Sequence, residues 1–306
     1  MNYKLLIISG PTATGKTSLA IDLAYKFNGE LISADSRQIY RGMDIGTGKD
    51  HPKDTIIHLI DIINPNESFS VAQYRLLALE KIKEIQSRGK LPIIVGGTGQ
   101  YIDSIINPQE TFSVKPNKFL RFFLNKFSLK LLQSTFRLLD LPAGRHGFET
   151  FRLLNNSDRN NPRRLIRKIE IRLLRRFTPR NDVIASEAWQ SRLNYFHLSL
   201  TAPNSFLFSK INQRIQKRLD SGLLKEIETL LKKYKWSDPG LNTLAYKEFK
   251  SPLLNDCIKQ WQSDEHKYVR RQKTWFKKQS NLSFIDISKT SNKQIIDMVS
   301  KWYNKL

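Results

Sequence analysis

The stretch LIISGPTATGKTSLA (residues 5–19) places an apolar run directly before a glycine-rich loop and a helix-forming segment. Its residues 10–17 have the pattern G-x-x-x-x-G-K-T, in which glycines let the backbone wrap around an anion while amides and a lysine face it. The predicted phosphate-binding residues are Gly10, Pro11, Thr12, Ala13, Thr14, Gly15, Lys16 and Thr17, the last also a candidate Mg²⁺ ligand through its hydroxyl. The loop alone does not decide whether the phosphate is transferred, hydrolysed or discarded.

Short apolar runs alternate with amphipathic stretches over the first third of the chain. Predicted strands cover residues 3–9, 30–34, 56–63 and 91–96, and predicted helices cover 16–27 and 71–87, the second capped by Ser70. Strands that alternate with helices indicate an α/β fold with a parallel sheet covered on both faces.

After residue 107 the pattern changes from alternating strands and helices to mainly helical segments. Predicted helices follow at 117–140, from Pro162 onward after a polar turn at 155–162, and at 204–220, 222–234, 241–249 and 252–279, with a returning strand at 195–203. We therefore predict an α/β core formed by residues 1–107 and 195–306, with C-terminal helices, that is interrupted by an inserted helical domain at 108–194.

Charge is unevenly distributed along the 306 residues, which carry 51 Lys and Arg against 28 Asp and Glu, a net +23. Residues 1–107 have a net charge of +1 and residues 108–306 a net charge of +22. This asymmetry indicates small-ligand chemistry in the first part and a polyanion such as nucleic acid as partner of the second, with a generally basic surface as the alternative.

The single cysteine, Cys257, excludes an internal disulfide and a cysteine-based zinc site, and we expect it to be a small buried apolar residue. The sequence shows neither a secretory signal nor an apolar run long enough to span a bilayer. We therefore expect a cytoplasmic protein without a membrane segment.

Other patterns narrow the reaction. A guanine-reading Asn-Lys-x-Asp is absent, and the apolar run at 91–95 continues into Gly-Gly-Thr-Gly rather than into the Mg²⁺-binding Asp of an ATPase motor. Asp35 follows a predicted strand, at the edge where open α/β sheets bind ligands. It could deprotonate an acceptor, which leaves a small-metabolite kinase open, or it could only cap a turn.

Seven blocks occur together and in order: GPTATGKT, SADSRQIYRGMDIGTGK, HLIDI…NPNESFSVAQY, LPIIVGGTGQYI, NPRRLIR, LTAP…INQRI and RRQKTWFKK. In this the chain resembles the bacterial tRNA dimethylallyltransferases, which prenylate the exocyclic amine (N6) of the adenosine 3′ of the anticodon in tRNAs that read codons starting with U. The resemblance implies a P-loop NTPase-like core and a reaction in which the loop holds the diphosphate of dimethylallyl diphosphate, which then leaves.

The resemblance also implies roles for particular residues. Asp35 would be the general base, Arg214 would reach the diphosphate, and Thr98 would line the substrate channel and contact RNA. Lys16 and Thr17, with Mg²⁺ and the loop amides, would stabilise the leaving diphosphate. The residues implied to contact tRNA around the target base are Asp35, Ser36, Arg37, Gln38 and Thr98.

The basic residues of the second part fit this interpretation. Arg163, Arg164, Arg167 and Lys168 form like-charge pairs four residues apart on one predicted helix, for which an RNA backbone would be a counter-charge. Aromatic residues are interleaved with basic ones at 268–278, where we predict packing onto the core and keep base stacking as the alternative. The anticodon stem-loop is thus the expected partner of a protein that we expect to be monomeric.

The chain departs from the family pattern in several places. Gln100, Gly48, Asp50 and Ile57 stand where the family commonly has Leu, Ala, Pro and His. Segments 108–160 and 177–193 show little of the pattern, which affects the predicted tRNA-clamping domain more than the chemistry.

We therefore weigh three functions: a tRNA prenyltransferase, a phosphate-loop kinase of a small metabolite, and an RNA-binding module with an inactive loop. The +22 charge of residues 108–306 argues against the kinase, since a small acceptor needs no such surface. The complete phosphate motif together with Asp35 argues against the inactive module. The sequence favours the prenyltransferase.

Overall fold

The structure is a computed structural model that describes residues 3–50, 52, 55–107, 117–139, 151, 154–175 and 193–305. The chain divides into two compact units. The first combines Met1–Asn107 with Arg192–Leu306, and the second is Pro108–Ser191.

A six-stranded parallel sheet forms the centre of the first unit. Its strands are β1 (Tyr3–Ser9), β2 (Gly29–Ser33), β3 (Ile57–His58), β4 (Leu91–Gly96), β5 (Leu193–Thr201) and β6 (Ser283–Asp286), in the spatial order β3-β2-β4-β1-β5-β6. Every neighbouring pair is parallel. This confirms the predicted α/β class and parallel sheet, and it puts β1 with the phosphate motif between β4 and β5.

Helices cover this sheet because its strands are apolar on both faces. The helices of the first unit are α1 (Lys16–Lys26), α2 (Val71–Ser87), α3 (Gly99–Ile106), α8 (Asn204–Asp220), α9 (Leu223–Leu231), α10 (Leu254–Lys277) and α11 (Asn292–Tyr303). Leu6 and Ile8 of β1 pack in one core with α1 and α11, while Leu5 and Ile7 are equally buried on the other face. Ser70 caps α2 as predicted, in a reciprocal capping box with Gln73.

The second unit is helical where it is described, with α4 (Lys118–Leu124), α5 (Leu129–Leu138), α6 (Asn156–Asn160) and α7 (Pro162–Arg175). Apolar side chains of these helices form a separate core around Leu132, Phe136 and Ile169. Most of the divergent segment 177–193 lies outside the described residues.

Several predicted elements are corrected by the structure. The helix predicted over 117–140 is two helices, because Ser128 accepts the N–H of Leu131 and starts a new helix there. The strand predicted at 56–63 is only two residues long, and 241–249 forms turns that lead into a short 3₁₀ helix at Lys247–Lys250. The polar turn at 155–162 contains α6. Strand β6 and helix α11 were not predicted.

Two expectations from composition can be compared with the structure. Cys257 is 2% exposed, in agreement with the prediction of a buried apolar role. Among the described helices, none combines the length and the apolar character that crossing a bilayer would require.

Glu30 on β2 is a buried carboxylate with partly exposed basic partners, and we expect the replacement Glu30→Gln to destabilise the protein by about 2 kcal/mol at neutral pH. Burial alone would raise the pKa of Glu30, but hydrogen bonds to His58, Lys90 and Arg88 lower it to about 2. The folded-state pKa of Glu30 lies below its ordinary value of 4.5. The ionised carboxylate therefore stabilises the fold fully above about pH 4.5, and this stabilisation is lost as the pH falls towards 2.

Denaturant unfolding of both proteins between pH 7 and pH 2 measures this effect, with exposed Glu80→Gln on α2 as the control. A difference in unfolding free energy that stayed constant over the whole range would contradict the assignment.

Candidate functional site

The phosphate motif forms a loop between β1 and α1 whose shape depends on glycine. Gly10 has φ +140°, and a Cβ there would lie 2.4 Å from the carbonyl oxygen of Leu200 on β5. Gly15, directly before α1, has φ +76°, a left-handed conformation that glycine adopts without strain. The loop thus leads from the centre of the sheet into a helix N-terminus, where amides and the helix dipole favour an anion.

The charged side chain of the loop is desolvated. Burial lowers the pKa of Lys16 to about 8; Asp35 opposes this shift, while Arg214 and Arg37 add to it. The Lys16 ammonium donates a 3.3 Å hydrogen bond to the carbonyl of Pro11. Arg214 on α8 donates to the hydroxyl of Thr12, so the predicted arginine reaches the phosphate loop.

Asp35 lies just beyond the carboxyl end of β2. Its Oδ1 accepts the N–H of Arg37 at 3.0 Å, which is the turn-capping contact that the sequence left as an alternative. The same carboxylate lines a cleft beside Lys16, so capping and a chemical role are compatible. The side chain of Arg37 is buried, with its guanidinium 3.1 Å from Glu265 and 4.9 Å from the ring centre of Tyr268.

The Gly-Gly-Thr corner follows β4 and lies against the segment that carries Asp35. A Cβ at Gly96 would be 2.2 Å from the carbonyl oxygen of Ala34, so the two strand ends approach closely only because position 96 is glycine. The Thr98 hydroxyl accepts the N–H of Ser36 at 3.0 Å. Thr98 and Ser36, both predicted to contact tRNA, are therefore neighbours.

The segment 44–50 forms a further wall of the cleft and is held in place by hydrogen bonds and ion pairs. The carboxylate of Glu226 on α9 accepts three backbone N–H groups, those of residues 44, 45 and 46. The Gln38 amide donates to the carbonyl of Gly48 at 3.1 Å. Lys49 is paired with Asp44 and Asp61.

A cleft of about 270 Å³ collects most of these side chains. Of the predicted site residues, those that line it are Thr12, Lys16, Thr17, Asp35, Arg37, Gln38 and Arg214. The departures Gly48, Asp50 and Ile57 line it too. Ser36 and Thr98 do not line the cleft itself but adjoin it through the corner after β4.

The cleft has an excess of positive charge. The Arg37 guanidinium is neutralised by Glu265. Burial alone would raise the pKa of Glu265, but the charges of Arg37 and Arg214 hold it below its usual value. Lys16, Arg214 and Arg218 line the same cleft, and within the described part of the chain none of the three is ion-paired with a carboxylate. Such a site is suited to a ligand with several negative charges.

Sequence reasoning missed the residues that α10 contributes. The Gln272 amide accepts the N–H of Thr12 at 3.0 Å and donates to the carbonyl of Gly97 at 2.9 Å, so it joins the phosphate loop to the Gly-Gly-Thr corner. Gln272 and Glu265 belong to the buried face of α10, among Trp261 and Val269. Polar residues within an apolar helical stripe were the signal that could have identified them.

The aromatic residues of this helix differ in exposure. Phe276 is 2% exposed and packs in the core, as predicted. Trp275 is 38% exposed and lies over Gly99, where a Cβ would be 2.1 Å from its indole. Base stacking, the alternative to packing in the sequence analysis, stays untested for Trp275.

The basic residues of α7 belong to the second unit. Arg164 and Lys168 are paired with Asp158, and Arg167 is 2.6 Å from the fully buried carboxylate of Glu170. The protein therefore supplies counter-charges for three of the four basic side chains, which weakens the argument that like-charge repulsion requires RNA. Arg163 is exposed.

Comparisons with known proteins cover almost the whole chain. Residues 38–279 match the sequence profile described as IPP transferase, and residues 3–61 match the one described as isopentenyl transferase. The chain is 34% identical over 313 residues to the tRNA dimethylallyltransferase of Roseiflexus sp. (strain RS-1), an alignment that covers 97% of this chain and 98% of that protein. It is 36% identical over 296 residues to the tRNA dimethylallyltransferase of Anoxybacillus flavithermus (strain DSM 21510 / WK1), covering 94% and 92%.

Solved structures agree with this. The full-length tRNA isopentenylpyrophosphate transferase of Bacillus halodurans matches with a TM-score of 0.70 and 31% identity, covering 98% of this chain and 96% of that one. The tRNA isopentenylpyrophosphate transferase of Staphylococcus epidermidis matches with a TM-score of 0.69 and 28% identity over 99% of both chains.

Proposed function

Because the chain belongs to the tRNA dimethylallyltransferase family, we propose that it transfers the dimethylallyl group of dimethylallyl diphosphate to tRNA and releases diphosphate. The acceptor is N6 of the adenosine 3′ of the anticodon in tRNAs that read codons starting with U. The observation that carries the proposal is a cleft lined by three positively charged side chains, Lys16, Arg214 and Arg218, which have no carboxylate partner among the described residues. The carboxylate of Asp35 lines the same cleft.

These cations explain how the carbon–oxygen bond of the donor would break. As the allylic carbon leaves the diphosphate, negative charge grows on the leaving oxygens, and preorganised donors lower the barrier by stabilising that charge. Lys16, Arg214 and the backbone N–H groups of residues 13–17 would supply these donors. The phosphate loop would thus bind a leaving group rather than a group to be transferred.

Magnesium fits this site through Thr17, whose side chain lines the cleft beside the loop. The described residues include no cluster of three or more metal-binding side chains, so protein ligands alone would not form a complete Mg²⁺ site. Mg²⁺ commonly binds through one or two protein oxygens together with phosphate oxygens and water, and when bound it supplies further charge neutralisation on the diphosphate. Thr17 would be its protein ligand.

Asp35 is suited to act as the general base. Its carboxylate is held by the N–H of Arg37 and faces the cleft, from which it would take the proton of the attacking amine. To reach it, the adenine must leave the stack of the anticodon loop. Ser36, Arg37, Gln38 and Thr98 would contact the RNA around that base.

An assay with labelled donor tests the proposal directly. Purified protein, Mg²⁺ and labelled dimethylallyl diphosphate are incubated with tRNA from cells that lack this modification, and label in RNA is measured alongside free diphosphate. Label on the adenosine next to the anticodon is expected. ATP consumption with a small acceptor and unchanged tRNA would instead indicate the kinase.

Arg163→Ala tests RNA binding by the second unit. Arg163 is exposed on α7, and we expect its loss to weaken tRNA binding and to lower the slope of log affinity against log salt by about one. Binding measured by fluorescence anisotropy between 50 and 200 mM salt shows both changes.

Lys301→Ala on α11 is the matched control, since it removes an exposed positive charge from the first unit. Equal salt slopes for Arg163→Ala and the unchanged protein would contradict a phosphate contact at Arg163. Arg167→Ala is a poorer probe of RNA binding, because it also removes an ion-pair partner from the buried carboxylate of Glu170.

A further inference from the structure

Arg218 occupies a position where the helix pattern calls for an apolar residue. On α8 the buried residues are Leu207, Ile211 and Ile215, and the next position of that stripe is Arg218, which is only 7% exposed. It lies one helical turn after Arg214, so two guanidinium groups extend from the same side of α8. Both line the cleft that contains Lys16.

The guanidinium of Arg218 has few partners for its five donors. It donates one hydrogen bond of 2.9 Å, to the carbonyl of Gly46, and within the described residues it has no ion pair. Burial, with a contribution from Arg214, lowers the pKa of Arg218 to about 9. Such a group is costly to bury unless an anion binds it.

Two other cations that line the cleft have such an anion. Arg37 is paired with Glu265, and Lys49 with Asp44 and Asp61. Arg218, like Lys16 and Arg214, lines the same cleft without a carboxylate partner among the described residues, which leaves these three side chains for a bound anion.

The segment 46–49 is shaped around this side chain. Gly48 has φ +62°, and a Cβ at that position would lie 1.9 Å from Nη2 of Arg218 and 2.9 Å from its Cζ. Any side chain at position 48 would therefore displace the guanidinium. Gly48 is also one of the positions where this chain departs from the pattern of its family.

We propose that Arg218 is a binding residue for the diphosphate of the donor, acting with Arg214 and Lys16, and that glycine at position 48 keeps its guanidinium in the cleft. This rests on the proposed function for the identity of the ligand. A guanidinium donates paired hydrogen bonds that match phosphate oxygens, so Arg218 extends the anion site from the phosphate loop towards segment 46–49.

Calorimetric titration of the full chain with pyrophosphate and Mg²⁺ tests this without requiring tRNA. Arg218→Met keeps the volume of the side chain and removes its charge, and we expect it to weaken pyrophosphate binding by at least about tenfold, as the loss of a charge-assisted hydrogen bond does. Without ligand, the melting temperature of this variant should be unchanged or higher, because an apolar residue continues the buried stripe.

Lys217→Met is the matched control. It removes a positive charge from the adjacent, exposed position of the same helix and should leave pyrophosphate affinity within about twofold of the unchanged protein. Equal affinity of Arg218→Met and the unchanged protein would overturn the proposal, as would equal weakening by Lys217→Met.

Gly48→Ala tests whether glycine at position 48 keeps the Arg218 guanidinium in the cleft. It should weaken pyrophosphate binding while Arg218 is present, and it should weaken it no further in the Arg218→Met background. Additive losses in the double variant would overturn the role of Gly48. A protein that binds pyrophosphate with this Arg218 dependence but leaves tRNA unlabelled would contradict the proposed function and leave this inference standing.

Discussion

Asp35→Asn is expected to lower the rate constant of prenyl transfer by about 10²- to 10⁴-fold, the range that a positioned general base contributes. The amide keeps the size of the side chain, and its oxygen can still accept the N–H of Arg37, so the turn after β2 should be retained. What is lost is the ability to take a proton from the attacking amine. Single-turnover kinetics with saturating donor and tRNA measure this step alone.

Donor binding should respond differently. Asp35 is close enough to Lys16 to oppose the lowering of the Lys16 pKa, and its negative charge would repel a bound diphosphate. Neutralising Asp35 should therefore leave the affinity for pyrophosphate equal or tighter. Single-turnover rates equal to those of the unchanged protein would show that Asp35 only caps a turn.

Lys16→Met is the second large effect. Removing one preorganised donor from a developing anion typically costs about 10²- to 10³-fold in rate, and here the ammonium also contributes to binding the donor. We expect kcat to fall by that factor and the KM for dimethylallyl diphosphate to rise. Steady-state kinetics over a range of donor concentrations separate the two changes.

Lys26→Met at the other end of α1 is the control for charge, because Lys26 is exposed. Without ligand, Lys16→Met should unfold at an equal or higher temperature, since it relieves repulsion between desolvated cations at Lys16 and Arg214. Unaltered kcat together with unaltered pyrophosphate affinity would mean that the diphosphate binds elsewhere.

The sequence predicted the parts of the fold whose signals are local. The phosphate loop needs glycine at positions 10 and 15 for reasons of backbone geometry, and β1 and β4 are mainly apolar runs because parallel strands are covered on both faces. Local signals failed for β6, a four-residue edge strand with one buried side chain. They also failed within 117–140, where one serine cap outweighs an otherwise continuous helical pattern.

The site was predictable only in part, because its supporting contacts are distant in sequence. Gln272 reaches the loop at Thr12 across 260 residues, and Glu265 neutralises Arg37 across 228. Nothing near Thr12 or Arg37 in the chain indicates these partners. Arg218 is a related case, since only the fold shows that the buried stripe of α8 ends in a charge beside the cleft.

The position of β1 in the sheet has a consequence for synthesis on the ribosome. β1 pairs with β4 on one side and with β5 on the other, and β5 follows the whole of Pro108–Ser191 in the chain. While that segment is being translated, the strand that leads into the phosphate loop has one unpaired, strongly apolar edge, which is the kind of surface that associates with other chains. Rapid folding of the second unit around its own core would shorten this exposure, so weakening the packing of Phe136 should lower the yield of native protein more than its effect on final stability predicts.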